Sequence, residues 1–261
     1  MITSFAQKKL LFLFVLIALL TQCRNKKAET SLEAADNYSM YLGGWVKEGF
    51  ITDLAQSKSP FKSRKELGGI LELNFLRDSQ ESGSINISYG NHESGDIRLI
   101  MKGDSSFLLV HDYSDLFSGD TMIYFRRIND TIEVISKKQK VRYIKILNEV
   151  KRFSNEGVYW VVNKMLFPAD YRVISDQHLK PLEKVTFKPD GTILNFPPYY
   201  SYEVHTDFIG VEDTTDYISF FDSTGKESVW QYSISDTIYF TNTTGPRFLL
   251  VPFSSKNNPI H

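Results

Sequence analysis

The sequence predicts an all-β fold with minor helix, and three observations support this. Short runs of β-branched and aromatic residues follow one another at close spacing, separated by turn signals. Aromatic residues make up 14% of the 261 residues, with 19 Phe and 14 Tyr, and such side chains pack well on a pleated surface. Landmarks also recur in the same order in two halves of the chain. We therefore expect a barrel-like antiparallel body with a possible internal duplication.

A helix is predicted over residues 45–57, where apolar residues recur at helical spacing before Pro60. The second half restarts at residues 158–162, and a Pro-Asp-Gly sequence at 189–191 predicts a tight turn. The predicted strands are residues 70–76, 85–89, 97–102, 107–111, 121–128, 131–136, 185–188, 192–196, 202–209, 217–221, 228–234, 237–241 and 247–253.

The two-residue loop Asn129-Asp130 predicts a hairpin, because both residues tolerate left-handed backbone angles. A two-residue loop also determines the register of the flanking strands. It places Arg126 opposite Glu133 and Phe125 opposite Val134, and both are favourable cross-strand pairs.

Three landmarks suggest that the halves 41–150 and 151–261 arose by duplication. The matching segments are Gly44-Trp45-Val46 with Tyr159-Trp160-Val161, Leu73-Asn74-Phe75 with Val185-Thr186-Phe187, and residues 128–134 with residues 234–240. The halves either close together into one barrel of ten or more strands or form two small barrels. We favour one continuous body, because no linker rich in Pro, Gly or Ser separates Asn148 from Tyr159.

The N-terminus has the pattern of an export signal. Lys8 and Lys9 precede an unbroken run of eleven apolar residues, 10–20, which is too short to span a bilayer. The run ends in Leu20-Thr21-Gln22-Cys23, which resembles the lipobox of bacterial lipoproteins, although Gln22 stands where a small residue is usual. The resemblance implies a signal peptide over residues 1–22 and a lipidated Cys23, followed by a polar tether over residues 23–40.

Two short motifs resemble those of the lipocalins and their calycin relatives. Gly43-Gly44-Trp45 is similar to the Gly-x-Trp that opens such barrels, and Thr215-Asp216-Tyr217, with Phe220 after it, is similar to their Thr-Asp-Tyr element. In that family both motifs lie at the closed end of one barrel and serve structure. Over roughly residues 41–253 the chain also resembles exported lipoproteins of Bacteroidetes-type bacteria with lipocalin-like or uncharacterised β domains. The resemblance implies a lipocalin-like antiparallel body and a binding role.

A search for catalytic and metal-binding patterns finds none, so we predict no catalytic residue, no metal ligand and no cofactor. The five histidines stand in no metal-binding spacing; they are His92, His111, His178, His205 and His261. Gly103-Asp104-Ser105 has the letters of a serine-hydrolase motif, but it lies between two predicted strands and reads as a turn. No nucleophile elbow and no phosphate-binding glycine loop is present.

The segment from Phe196 to Tyr202 is the most suggestive binding feature. Tyr199, Tyr200 and Tyr202 follow two prolines, and aromatic rings beside rigid prolines could line a barrel mouth and stack on an apolar or sugar ligand. The alternative is a proline-rich connection whose tyrosines pack on the barrel rim.

These patterns favour a non-catalytic module of the cell envelope that is anchored to a bacterial membrane, for which we expect the outer membrane, through acyl chains on Cys23. It would bind a small apolar ligand or an envelope partner. The alternatives are an accessory envelope protein without a small ligand, and an envelope hydrolase whose site the sequence does not reveal. Loss of Lys8 and Lys9 takes the formal net charge from −1 to −3, which gives no electrostatic reason to bind nucleic acid. The oligomeric state stays open.

Overall fold

The computed structural model describes residues 38–79, 83–90, 93–101, 106–109, 124–136, 139–148, 156–175, 182–208, 214–242 and 247–253. Within these ranges the chain forms two antiparallel β-barrels of eight strands each, with two α-helices between them. None of the helices in the described ranges is long and apolar enough to cross a membrane.

The first barrel is a meander in which each strand pairs with the next along the chain. Its strands are β1 (Gly43–Lys47), β2 (Ile70–Phe75), β3 (Ser84–Tyr89), β4 (Ser94–Met101), β5 (Ser106–Leu109), β6 (Tyr124–Ile128), β7 (Thr131–Ile135) and β8 (Lys140–Leu147). The barrel closes because β8 returns to β1, with Trp45 opposite Lys145. Helix α1 (Glu48–Ser57) lies between β1 and β2, and two short 3-10 helices, Arg64–Glu66 and Arg77–Ser79, flank β2.

The second barrel repeats this topology and is preceded by helix α2 (Glu156–Leu166). Its strands are β9 (Asp170–Ser175), β10 (Leu182–Phe187), β11 (Thr192–Phe196), β12 (Tyr199–Val204), β13 (Asp216–Asp222), β14 (Glu227–Ile234), β15 (Ile238–Thr241) and β16 (Phe248–Pro252). Strand β16 closes the barrel on β9, with Leu250 opposite Val173.

The all-β, barrel-like fold class is therefore confirmed, but our preference for one barrel of ten or more strands is wrong. In each set of eight strands the last pairs with the first, so every strand finds both of its neighbours inside its own half of the chain. Helix α2, which begins at Glu156, packs in a core that contains residues of both halves.

Two of the three repeated landmarks occupy equivalent places in the barrels. Residues 73–75 lie in β2 and residues 185–187 in β10, the second strand of each barrel. The hairpins of residues 128–134 and 234–240 join the sixth strand to the seventh in both. The tryptophans are not equivalent, since Trp45 lies in a strand and Trp160 in a helix.

The strand that contains Trp45 also corrects the predicted helix, which begins at Glu48 rather than at residue 45. In β1 alternate residues face opposite ways, as a strand requires. Trp45 is fully buried in the core of the first barrel, whereas Val46 packs into the core between the barrels. Strands β8 and β9 were not among the predicted strands. The apolar run at residues 158–162 lies in helix α2.

The predicted hairpin register is confirmed. Arg126 lies opposite Glu133 and Phe125 opposite Val134. The Arg126 guanidinium is 2.7 Å from a Glu133 carboxylate oxygen, and Lys140 on β8 contacts the other oxygen. These two cations lower the pKa of Glu133.

The two lipocalin-like motifs lie in different barrels, so they do not share one closed end. Trp45 Nε1 donates a hydrogen bond of 2.7 Å to the Tyr41 carbonyl in the first barrel. Asp216 begins β13 of the second barrel and reaches outward, where its Oδ1 accepts 2.8 Å from the backbone N–H of Phe61. Asp216 thus connects the second barrel to the loop that follows α1.

The folded part of the chain begins earlier than the predicted tether boundary at residue 40. Tyr38 is 1% exposed and its ring lies 5.6 Å from that of Phe75, while its hydroxyl donates to the Ser84 carbonyl. The predicted signal peptide and Cys23 lie outside the described residues.

Candidate binding cleft beside helix α2

A cleft of about 480 Å³ lies where the end of β8, helix α2, the β10–β11 turn and strand β12 meet. We call it the α2 cleft. It is lined by Leu147, Glu156, Tyr159, Trp160, Asn163, Pro189, Asp190, Gly191, Tyr202 and Glu203. Only Leu147 comes from a strand of the first barrel, so the cleft lies at the side of the second barrel that faces the first.

Helix α2 contributes four of the lining residues from one face. Glu156, Tyr159, Trp160 and Asn163 are spaced three, four and seven residues apart, which aligns their side chains along the helix. The helix also buries valines and Leu166 in the core shared by both barrels. It is therefore held by apolar packing while it presents polar and aromatic groups to the cleft.

The N-terminus of α2 is capped by a carboxylate from the first barrel. Glu72 on β2 is fully buried and accepts hydrogen bonds from Gly157 N at 2.9 Å and Val158 N at 3.4 Å. A carboxylate at this position satisfies free N–H groups and interacts favourably with the helix dipole. Burial nevertheless dominates and raises the Glu72 pKa from 4.5 to about 7.

The position of Gly157 explains how the carboxylate comes so close to the helix. A Cβ atom there would lie 2.7 Å from Glu72 Oε1 and 3.3 Å from Val46 Cγ2. Both contacts are shorter than side chains normally tolerate. The absence of a side chain at Gly157 thus lets the first barrel cap the helix that borders the cleft.

The Pro189-Asp190-Gly191 turn forms the opposite wall and confirms the prediction from its sequence. Gly191 has φ +82° and donates to the Lys188 carbonyl at 3.0 Å. Asp190 Oδ1 accepts from Thr192 N at 3.0 Å, and this bond is the main cause that lowers the Asp190 pKa. The Asp190 side chain is therefore a stable anion at the cleft edge.

A hydrogen bond from Asn163 joins helix α2 to the Pro189-Asp190-Gly191 turn. Its side chain is 3% exposed, and Nδ2 donates to the Pro189 carbonyl at 3.0 Å. The amide oxygen Oδ1 of Asn163 is buried and has no hydrogen-bond partner among the described residues. A buried acceptor without a partner costs free energy, so Oδ1 is a position where a bound donor would be favourable.

Tyr159 and Tyr202 complete the lining. The Tyr159 hydroxyl is hydrogen-bonded to Glu203, and burial together with this carboxylate raises the Tyr159 pKa. The Tyr202 hydroxyl donates to the Lys188 carbonyl at 2.8 Å. Both phenol donors thus have partners within the protein.

The three tyrosines that we predicted for ligand binding do not form one surface. Tyr202 lines the α2 cleft, whereas Tyr199 packs its ring on Phe196 and Phe220 at the barrel core. Tyr200 points outward and is 58% exposed. The separation follows from strand alternation, with an irregular register in β12 at Tyr199–Ser201.

The interior of the second barrel is packed with aromatic rings. Phe187 lies 5.1 Å from Phe167 and from Tyr202 and 6.2 Å from Phe220, measured between ring centroids. These rings pack against one another in the interior of the second barrel. Tyr202 belongs to this interior and also borders the α2 cleft, which lies beside the packed rings.

The sequence prediction does not include the helical residues of the cleft, because it treats residues 158–162 only as an apolar run. Glu156, Tyr159, Trp160 and Asn163 carry a signal, which is their spacing along one helical face. Glu72 has no comparable signal, since its role depends on a helix that begins 84 residues further along the chain.

One histidine lies within the described residues. His205 Nε2 is 2.7 Å from Ser219 Oγ, and Ser219 Oγ donates a hydrogen bond of 2.5 Å to Glu227. With the serine hydroxyl donating to Glu227, Oγ can accept a hydrogen bond from an imidazole that is protonated at Nε2. His92, His111, His178, His261 and Gly103-Asp104-Ser105 lie outside the described residues.

Within the same described ranges, no group of three His, Cys, Asp or Glu side chains is arranged to hold a metal ion. Comparison of the chain with protein-family models, with curated proteins and with solved structures found no match.

Proposed function

We propose that this protein is a non-catalytic binding protein of the bacterial cell envelope, anchored to a membrane through acyl chains on Cys23, and that the α2 cleft is its ligand site. The observation that carries the binding role is the cleft itself. Its volume of about 480 Å³ falls in the usual range for small-molecule sites, about 300–1,000 Å³.

The composition of the α2 cleft supports a binding role. Rings of Tyr159, Trp160 and Tyr202 stand beside a few polar groups, and this combination gives both contact area and orientation. The walls are tied together by the hydrogen bonds of Asn163 and Glu72, so the site is formed before a ligand arrives.

Support for the anchor comes from the N-terminal sequence. A basic pair, an apolar run of eleven residues and a cysteine at its end together have the order of a lipoprotein signal. Two or more acyl chains give stable membrane attachment where a single chain does not. We propose attachment to the outer membrane, with the two barrels facing the periplasm or the cell surface.

The anchor is tested by replacing Cys23 with Ala in the full chain and growing cells with a clickable palmitate analogue. We expect acyl labelling of the wild-type protein and its complete loss in Cys23→Ala, with Cys23→Ala released from the membrane fraction. Labelling that persists in the variant would show that the lipid is attached elsewhere.

The site is tested by native mass spectrometry of the full-length protein released from its membrane by mild detergent, and by Trp fluorescence titration with small amines and alcohols. We expect a titratable response in the wild type and a bound mass that Trp160→Ala abolishes. Tyr200→Ala is the matched control, since it removes an exposed ring away from the cleft. Equal binding by wild type and Trp160→Ala would remove the cleft from the proposal.

A specific surface feature favours the accessory role as the second candidate. Ile174, Leu249 and Tyr239 lie side by side on β9, β16 and β15; Ile174 and Tyr239 are exposed, and Leu249 between them is half-buried. Exposed apolar rows of this kind are typical of protein contacts. Chemical cross-linking in cells should then capture a partner with wild type but not with Tyr239→Ser, whereas equal capture would exclude this surface.

A further inference from the structure

Hydrogen-bond acceptors predominate among the polar side chains of the α2 cleft. Glu156, Asp190 and Glu203 contribute three carboxylates, and no Lys, Arg or His is among the ten described residues that line the cleft. The two phenol donors are already used, by Glu203 and by the Lys188 carbonyl. A ligand that complements this lining must bring donors and positive charge.

The amide oxygen of Asn163 is an independent observation that points the same way. Oδ1 is buried and has no partner among the described residues, while Nδ2 of the same side chain is held by the Pro189 carbonyl. Exchange of the two amide atoms would place a carbonyl against a carbonyl, so the hydrogen bond determines their assignment. The unfilled position therefore requires a donor.

The aromatic residues are also suited to a cation. The Lys164 ammonium already lies 4.4 Å from the centroid of the Trp160 ring, which shows that this ring accepts a positive charge on one face. Burial raises the pKa of Tyr159, and the nearby carboxylates of Glu203, Asp207 and Glu72 raise it further. The electrostatic environment of both rings is thus favourable for a positively charged group.

Two lysines lie near the cleft, and their positive charges offset only part of the negative charge of the carboxylates. Lys188 helps to lower the pKa of Asp190, and Lys164 lies on Trp160, but neither lines the cleft. Against these two positive charges stand the three lining carboxylates and Asp207. Among the described residues the balance of charge around the cleft is negative.

We propose that the α2 cleft binds a small organic cation, a ligand with an ammonium or guanidinium group on an apolar stem, in place of the uncharged apolar ligand that the sequence suggested. The cationic group would be held by Glu203, Glu156 and Asn163 Oδ1, and the stem would lie against Tyr159 and Trp160. The proposal rests on the proposed function of the cleft as a ligand site.

The test uses the full-length protein in detergent micelles and a matched pair of probes. 1,5-Diaminopentane carries two ammonium groups, and 1,5-pentanediol has the same length without charge. We expect calorimetry at low salt to show binding of the diamine at least about tenfold tighter than binding of the diol, with the preference reduced in about 0.5 M salt.

Variants assign the preference to the cleft. Asp190→Asn and Glu203→Gln each remove one lining charge with little change in shape, and each should weaken diamine binding about three- to tenfold. Asp190→Asn keeps Oδ1 as acceptor for Thr192 N, so it tests charge even if Glu203→Gln disturbs Tyr159. Glu93→Gln, at an exposed position of the first barrel, is the matched control and should bind like wild type.

The outcomes separate the two proposals. Equal binding of diol and diamine that Trp160→Ala abolishes would overturn the cation proposal and leave the cleft as a ligand site. Diamine binding that Glu93→Gln weakens as much as Asp190→Asn would reflect general charge attraction and also overturn it. No binding of either probe, in a protein that also retains no bound mass, would contradict both proposals.

Discussion

Replacement of Glu72 by Gln should change how the stability of this protein depends on pH. Glu72 is fully buried, and its pKa in the folded state is about 7 against an ordinary value of 4.5. Its proton is therefore bound more tightly in the folded protein than in the unfolded chain. Glutamine has nearly the same shape, does not titrate in this range, and offers Oε1 as acceptor to Gly157 N.

The sign of the effect follows from proton binding in the two states. Below pH 4.5 Glu72 is protonated in both states and contributes no pH dependence. Between pH 4.5 and 7 the unfolded chain loses this proton while the folded protein keeps it, so stability falls as pH rises. Above pH 7 both states are ionised and the loss is constant, at about 3 kcal/mol.

Urea unfolding of both proteins, followed by the fluorescence of the three tryptophans at pH 4.5 to 8, measures this difference. The free energy of unfolding of Glu72→Gln minus that of wild type should rise by about 3 kcal/mol from pH 4.5 to 7 and then level off. Any cost from the loss of the 3.4 Å bond to Val158 N is the same at every pH. Such a constant moves the whole curve and leaves its slope unchanged.

Glu133→Gln is the matched control. Arg126 and Lys140 lower the pKa of Glu133, so the stability it contributes is present above its ordinary pKa and is lost only as pH falls below 4.5. Its difference curve should be flat from pH 5 to 8. A flat curve for Glu72→Gln over the same window would refute the argument that burial outweighs the helix N-terminus at Glu72.

Three further substitutions, measured by urea unfolding, test the contacts between the two barrels and the core of the second barrel. Gly157→Ala should cost about 1–2 kcal/mol, because its Cβ would displace the Glu72 carboxylate; a gain, from helix propensity alone, would contradict the close approach. Asp216→Ala should cost about 1–3 kcal/mol by leaving Phe61 N unpaired, and Asp216→Asn should cost less since it keeps an acceptor; equal costs would dispute the bond. Phe167→Ala should cost about 3–5 kcal/mol, because four rings of the second barrel lie within 6.3 Å of its centroid; a cost below about 1 kcal/mol would show a loose core.

Local signals were reliable where the structure depends on neighbouring residues. The Asn129-Asp130 loop determined the register of Arg126 and Glu133, and Pro189-Asp190-Gly191 forms the turn that its composition predicts. Strand alternation was harder to see in β8, where charged residues interrupt the apolar ones at residues 140–147. Its half-buried side chains mark an outer surface that a search for apolar runs does not detect.

Apolar content alone did not predict the correct secondary structure at residues 45–47 and 158–162, which pack against both barrels. Val46 continues the helical spacing of Phe50 and Leu54, and all three do pack in one core, but Val46 reaches that core from a strand. Residues 158–162 form a continuous apolar run because both faces of helix α2 carry large apolar side chains. Val158, Val161 and Val162 pack in the core, whereas Tyr159 and Trp160 line the α2 cleft. The helical periodicity lies in their burial and is hidden when only apolar character is considered.

The sequence by itself determined that this chain is rich in antiparallel strands, that residues 189–191 form a turn and how the hairpin at Asn129-Asp130 pairs, because these depend on residues close together along the chain. Only the tertiary structure decided that the strands close into two barrels. That choice rests on pairs such as Gly44 with Leu147, which lie about a hundred residues apart. The α2 cleft also depends on the tertiary structure, because Leu147, Asn163 and Glu203 come together only when both barrels and helix α2 are packed.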